Sequence, residues 1–219
     1  MHNPWQTQCP IPLIPVVGLI GGIGSGKSLI AELFRQRGAP VISGDELGHQ
    51  ALGQPEIRAD VVRRWGHQVL EPDGTISRRR LAAIVFGDGK ELRALEALVF
   101  PSIERGIRQA IAAARRRSEV RLIVLDAAVL LEAGWDRLCD WIVYVHAPRA
   151  VRLRRLKEQR GWAAKEVQKR ERMQMSLTDK VSRAEYVVDN SGAPEHAARQ
   201  VDDLLSQWGI AKISNRNGE

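Results

Sequence analysis

The sequence predicts an α/β fold, a doubly wound and mostly parallel sheet of about five strands with helices on both faces. Three observations carry that expectation. Short apolar runs alternate with helical patterns, the runs being Val16–Ile20, Val41–Ile42, Val120–Leu125, Trp141–Val145 and Tyr186–Val188. Two of them, Val120–Leu125 and Trp141–Val145, are nearly all apolar instead of alternating, which marks strands covered on both faces and hence a parallel sheet. The runs also end in glycine, serine or aspartate, at the strand ends where an open α/β sheet holds its ligand.

The elements follow in order. Val16–Ile20 stops at Gly21 and Gly22, and Ser28–Arg37 then carries Ile30, Leu33 and Phe34 on one helical face, with Gly38 as its stop. The second strand is expected beside the first and ends at Ser43, Gly44 and Asp45. From Glu46 to about Arg117 helical patterns dominate, at Ile57–Trp65, Ser77–Phe86 and Lys90–Arg117. Ser77 suits an N-cap after the turn Pro72-Asp73-Gly74, and Pro101 should break or kink the last helix. This block reads as a helical insertion between strands. Pro148 opens an Arg-rich helical stretch that runs to about Arg183 with an interruption near Gly161, and Glu195–Trp208 closes as an amphipathic helix. Residues 1–15 read as a loose N-terminal extension, 16–208 as the folded domain, and 209–219 as a tail, disordered after Ile210.

Composition excludes several classes. An apolar fraction of 44% excludes a disordered chain. Cys9 and Cys139 form no CxxC pair and have no histidine at metal-ligand spacing, which excludes a disulfide framework and suits a reducing compartment. No apolar stretch reaches the roughly 18 residues of a membrane span. Met1–Pro15 holds no Lys or Arg, unlike a secretory signal, so the expected location is the cytoplasm. The net charge of +7 is carried mostly by arginine and suits either nucleic acid or a polyanionic small molecule. No zinc-finger or RNA-binding motif supports the first, so no nucleic-acid partner is expected. A monomer is the expected state.

One motif carries chemistry. Gly21-Gly22-Ile23-Gly24-Ser25-Gly26-Lys27-Ser28 matches GxxxxGK[ST], between a strand and a helix. The glycines let the backbone curl around phosphates so that its N–H groups become donors, and the following helix points its positive end at them. Lys27 adds a mobile charge near the β- and γ-phosphates, and the Ser28 hydroxyl can ligate Mg²⁺. The expected ligands are therefore ATP and Mg²⁺, the fold is of the P-loop kinase type, and Gly21–Ser28 with Leu29 form the nucleotide site. Asp45 has two open readings, a base or water-mediated metal holder at the strand end, and an N-cap for the next helix. Asp126 stands either as a Walker-B-like acid or as an ordinary strand-terminal aspartate. Arg78 and Arg79 either grip an anionic substrate or lie solvated, and the same choice holds for Arg152, Arg154, Arg155 and Arg160, some of which could reach ATP from a lid.

These segments together resemble the dephospho-coenzyme A kinase family, over Val16 to about Trp208. The resemblance rests on Val17–Ser28, on Val41-Ile42-Ser43-Gly44-Asp45 (similar to V-I-D-A-D) and on Asp73–Arg79 (similar to D-G-x-[LI]-x-R-R). It continues in Leu130 and Glu132 of a P-L-L-x-E segment, in Gln174, and in Asp189-Asn190-Ser191-Gly192. It implies phosphorylation of the ribose 3′-hydroxyl of dephospho-coenzyme A by ATP, with Asp45 as general base and Arg155 among the ATP-binding residues. It further implies a helical substrate domain at about 46–117 holding Arg78 and Arg79, and a lid at about 152–183. Departures are Ser43 for the first acid of D-A-D, Phe100 for the histidine before Pro101, Ala128 for the proline of P-L-L, and Leu29 for a small hydroxyl residue.

Overall fold

The computed structural model describes residues 14–210. Most of the expected extension, Cys9 and the tail beyond Ile210 lie outside the described residues. Ile14 and Pro15 already belong to the fold, since Ile14 is buried and the Pro15 carbonyl accepts the N–H of Ile123 at 2.9 Å.

Five strands form one parallel sheet: β1 (Val16–Gly21), β2 (Val41–Ser43), β3 (Ile123–Asp126), β4 (Trp141–His146) and β5 (Tyr186–Asp189). Their order is β2-β3-β1-β4-β5. The second strand therefore does not abut the first, as the sequence reading expected. The first crossover skips one position, and β3 fills it, pairing Asp126 with Leu19 on one side and Ser43 on the other. The wholly buried β1 takes the centre, where it pairs on both sides. The chain reverses direction across the sheet at β1, so the loop after β1 lies at the switch point where such sheets bind ligands.

The helices are α1 (Lys27–Gln36), α2 (Gly44–Gly53), α3 (Pro55–Trp65), α4 (Arg78–Val85), α5 (Gly89–Arg115), α6 (Arg149–Arg160), α7 (Ala164–Glu171), α8 (Leu177–Ser182) and α9 (Pro194–Gln207). Alternation along β1 divides the core. Val17 and Leu19 face Ile30, Phe34, Val201 and Leu205 of α1 and α9, while Val16 and Ile20 face the side of α2 to α5. Pro101 does not break α5, the first of the two outcomes expected for it. Proline in a helix costs about 3 kcal/mol. The ridge Ile103, Ile107 and Ile111 is buried at four-residue spacing, and each such side chain contributes about 1.5–3 kcal/mol, so packing outweighs the lost bond.

Trp208 closes the core under α9. It stacks on Trp141 with centroids 4.6 Å apart, on Phe34 at 6.2 Å, and meets the edge of Tyr186 at 5.2 Å. Trp208→Ala empties that aromatic cluster and should destabilise the fold by about 3–5 kcal/mol, read as a lower urea midpoint with an unchanged slope. A midpoint that does not move would show that the cluster is dispensable.

Candidate active site

The site grows from the loop between β1 and α1. Gly24 and Gly26 adopt φ 79° and 89°, a region that disfavours other residues. At Gly26 a Cβ would also lie 2.2 Å from the Asn190 Nδ2, so only glycine fits. α1 starts with no side-chain cap, which leaves its first N–H groups open to the cleft.

The loop carbonyls are held from behind. Arg152 Nη1 donates to the Ile23 carbonyl at 3.0 Å and pairs with Glu171 of α7 at 2.6 Å. Asn190 Nδ2 donates to the Ser25 carbonyl at 2.7 Å, and Arg155 Nη1 donates to the same oxygen at 3.3 Å. Arg155 Nη2 donates to the Asn190 carbonyl at 2.8 Å. With the carbonyls engaged on one side, the loop N–H groups are left for an anion on the other. Arg152 and Asn190 are buried, so α6 begins as scaffold beneath the loop.

A cavity of about 730 Å³ opens over this loop. All of Gly22–Leu29 line it, with Arg155, Asp45 and Asp126. Burial pushes the Lys27 ammonium below the ordinary lysine range, against the pull of Asp126, Asp45 and Glu132, while Lys180 adds to the fall. Burial in turn raises the Asp126 carboxyl, which Lys27 holds back and Asp45 pushes further. These three groups therefore share one field. Asp45 sits in the first turn of α2, and the cap is Ser43, whose hydroxyl accepts the N–H of Glu46 at 3.1 Å. The capping reading of Asp45 thus falls to its neighbour. Asp45 makes no hydrogen bond or ion pair with any described residue.

Arg78 and Arg79 do not line the cavity. Both are exposed at the start of α4, where Arg78 donates to the ring of His49, one turn of α2 beyond Asp45. Ser28, Leu29 and Arg155 line the cavity, whereas Gly21, the first residue of the expected nucleotide site, does not. Three features were not foreseen. Arg152 is an internal anchor. Lys180 is buried and pairs with Glu132 at 3.0 Å, while Glu132 also accepts the Met175 N–H at 2.9 Å. Glu96 stands in the cavity wall. Its signal was a lone charge in the stripe Leu92, Leu95, Val99 and Phe100. Lys180 left no such mark. Over the opening, Arg170 of α7 stacks on Trp162 at 4.2 Å and on Phe86 at 5.1 Å. Cys139, also considered from sequence, is buried enough to raise its thiol to about 12, so it is no nucleophile.

The parallel sheet order and the phosphate-binding loop at its switch point define a nucleotide-binding enzyme of the P-loop kinase class. The dephospho-CoA kinase family pattern matches residues 15–195, and the chain belongs to that family. A dephospho-CoA kinase of Anaeromyxobacter dehalogenans is 39% identical over 193 residues, 87% of this chain and 90% of its own. One from Geobacter metallireducens is 41% identical over 196 residues, 88% of this chain and 96% of its own. A crystal structure from Thermus thermophilus superposes with a TM-score of 0.75 at 33% identity, covering 90% of this chain and 98% of that one. The dephospho-CoA kinase of Campylobacter jejuni, at 18% identity, shares the fold with a TM-score of 0.65 over 88% and 96% of the two chains.

Lys180→Met leaves the Glu132 carboxylate buried without its cation, which should cost about 3–5 kcal/mol. Adding Glu132→Gln should recover a large part of that loss in denaturant unfolding. Additive losses would show that the two side chains do not act as a pair.

Proposed function

We propose that this protein transfers the γ-phosphoryl group of ATP to the ribose 3′-hydroxyl of dephospho-coenzyme A, giving ADP and coenzyme A, the last step of coenzyme A synthesis. The observation that carries this reading is the meeting of Lys27, Asp126 and Asp45 in one cavity. The cavity has a polar wall built from the phosphate loop and a largely apolar wall built from the helical insertion. ATP on the first wall and an acceptor on the second would bring the γ-phosphorus and a hydroxyl together there.

Each residue then has a task. The N–H groups of Gly22–Ser28, apart from that of Ser25, which bonds the Gly22 carbonyl at 3.0 Å, hold the phosphates. Lys27 follows the charge that develops on the γ-phosphoryl oxygens, and its partial burial strengthens that effect. Arg155 holds the loop and faces the same cavity. Asp45, free of other bonds, aligns the acceptor hydroxyl with phosphorus and takes its proton late, as a loose transition state allows. The donor set also fits Mg²⁺. Ser28 and Asp126 offer two hard oxygens at the cavity. Mg²⁺ takes its remaining oxygens from phosphates and water. When bound, Mg²⁺ neutralises charge on the phosphates. Arg78 and Arg79, outside the cavity on the acceptor side, suit the diphosphate of dephospho-coenzyme A. We keep as lid only the segment from Gly161 to Gln174, because Arg152 and Lys180 are held in the interior. Action as a cytoplasmic monomer belongs to the same proposal. No helix among the described residues is long and apolar enough to cross a membrane.

The test is incubation with MgATP and dephospho-coenzyme A, followed by phosphorus NMR. A new 3′-phosphomonoester is expected, and ADP release without it would refute the assignment. Asp45→Asn should fold and bind ATP while kcat falls about 10²- to 10⁴-fold, the usual worth of acid–base catalysis. Turnover within a few-fold of the parent would remove Asp45 as base. Replacing Arg78 and Arg79 together with Ala should raise KM for dephospho-coenzyme A and leave that for ATP within about threefold. A rise mainly for ATP would place them on the other side.

A further inference from the structure

The acceptor wall of the cavity is apolar except at one point. Leu92, Leu95, Val99 and Phe100 of α5 line it, and Glu96 stands among them. Helical spacing places all five on one stripe, so Glu96 does not project from the solvated face of α5. Phe100 is fixed there by an edge contact with buried Trp135, with centroids 5.3 Å apart. The Glu96 carboxylate is half-buried and makes no hydrogen bond or ion pair with any described residue. Burial and the Glu132 carboxylate push it above the usual range, and Arg93 offsets this only in part. A carboxylate held among apolar side chains, facing a like charge, costs free energy until a donor reaches it. Such a local violation is expected where a site reads a ligand.

The chemistry of the donor follows from the kinase reading, on which this inference rests. The acceptor's 3′-hydroxyl must lie in the cavity beside Asp45. Its nucleobase hangs from the same ribose, so it cannot leave the cavity. The diphosphate and pantetheine arm depart from the 5′ side and can run outward. A flat base suits the stripe around Phe100, and the strongest donor on an adenine edge is its 6-amino group. We propose that Glu96 is a specificity-determining residue, whose carboxylate accepts a hydrogen bond from the 6-amino group of the acceptor adenine.

The experiment compares kcat/KM for dephospho-coenzyme A and for its analogue with hydrogen in place of the 6-amino group. The wild type should prefer the amino acceptor by about tenfold to a hundredfold, the worth of a hydrogen bond to a charged group. Glu96→Leu matches the surrounding stripe and removes a repelled charge, so it should fold. It should reduce the preference to within about threefold. Glu96→Gln, which keeps an acceptor oxygen, should fall between. The ratio for ATP against its own 6-hydrido analogue should be the same in all three proteins. The inference is overturned if the wild type does not discriminate, if Glu96→Leu still does, or if the change appears in the ATP ratio. Absence of any turnover of dephospho-coenzyme A by the wild type would instead overturn the kinase reading, and this inference with it.

Discussion

The site depends on where two carbonyl groups point. A loop can offer its N–H groups to phosphates only if its C=O groups are satisfied elsewhere. Here the Ile23 carbonyl is taken by Arg152, and the Ser25 carbonyl by Asn190 and Arg155. These anchors come from α6 and from the residue after β5, both more than a hundred positions along the chain. The sheet delivers one of them directly. Asn190 extends the β4–β5 ladder by one rung, its N–H bonding the His146 carbonyl at 2.8 Å, and this aims its side chain at the loop. Through Glu171, Arg152 also links the loop to α7. One chain of bonds thus joins the loop, α6 and α7.

Around this frame the protein concentrates charge in one cavity. Burial disfavours a charged Lys27, and the nearby carboxylates offset this only in part. The two influences leave a cation that is weakly solvated and therefore effective on phosphate oxygens. The buried pair of Lys180 and Glu132 sits behind it and fixes the chain at Met175. The cavity is asymmetric. Its phosphate wall is rich in backbone donors, whereas its other wall is a helix stripe shaped by apolar packing. The asymmetry separates a donor of phosphate from a bulkier acceptor.

What was legible in the sequence was local. The loop at Gly21–Ser28 is contiguous, and its chemistry follows from spacing alone, as do the periodicity of α1 and α9 and the apolar runs of β3 and β4. What was not legible was pairing across distance. Strand order is set by crossovers, so Asp126 and not Asp45 proved to be on the strand beside the loop. Ser43 and Asp45 both suit a helix start, and only the backbone decides that Ser43 caps α2 while Asp45 stays free. Pro101 signalled a break that the buried ridge of α5 overrides. Among many arginines of the same stretch, nothing local distinguishes Arg152, which is buried, from Arg154, which is exposed.

The central claim is that the loop is pre-shaped by anchors on its carbonyl side. Calorimetric titration of ATP into Asn190→Ala tests it most directly, because Asn190 is buried behind the loop and its donor goes to the Ser25 carbonyl. Losing that bond leaves the Ser25 carbonyl only the longer contact from Arg155 at 3.3 Å, and should weaken ATP binding by about tenfold, the worth of one hydrogen bond, with binding of dephospho-coenzyme A unchanged. ATP affinity within twofold of the parent would contradict the account.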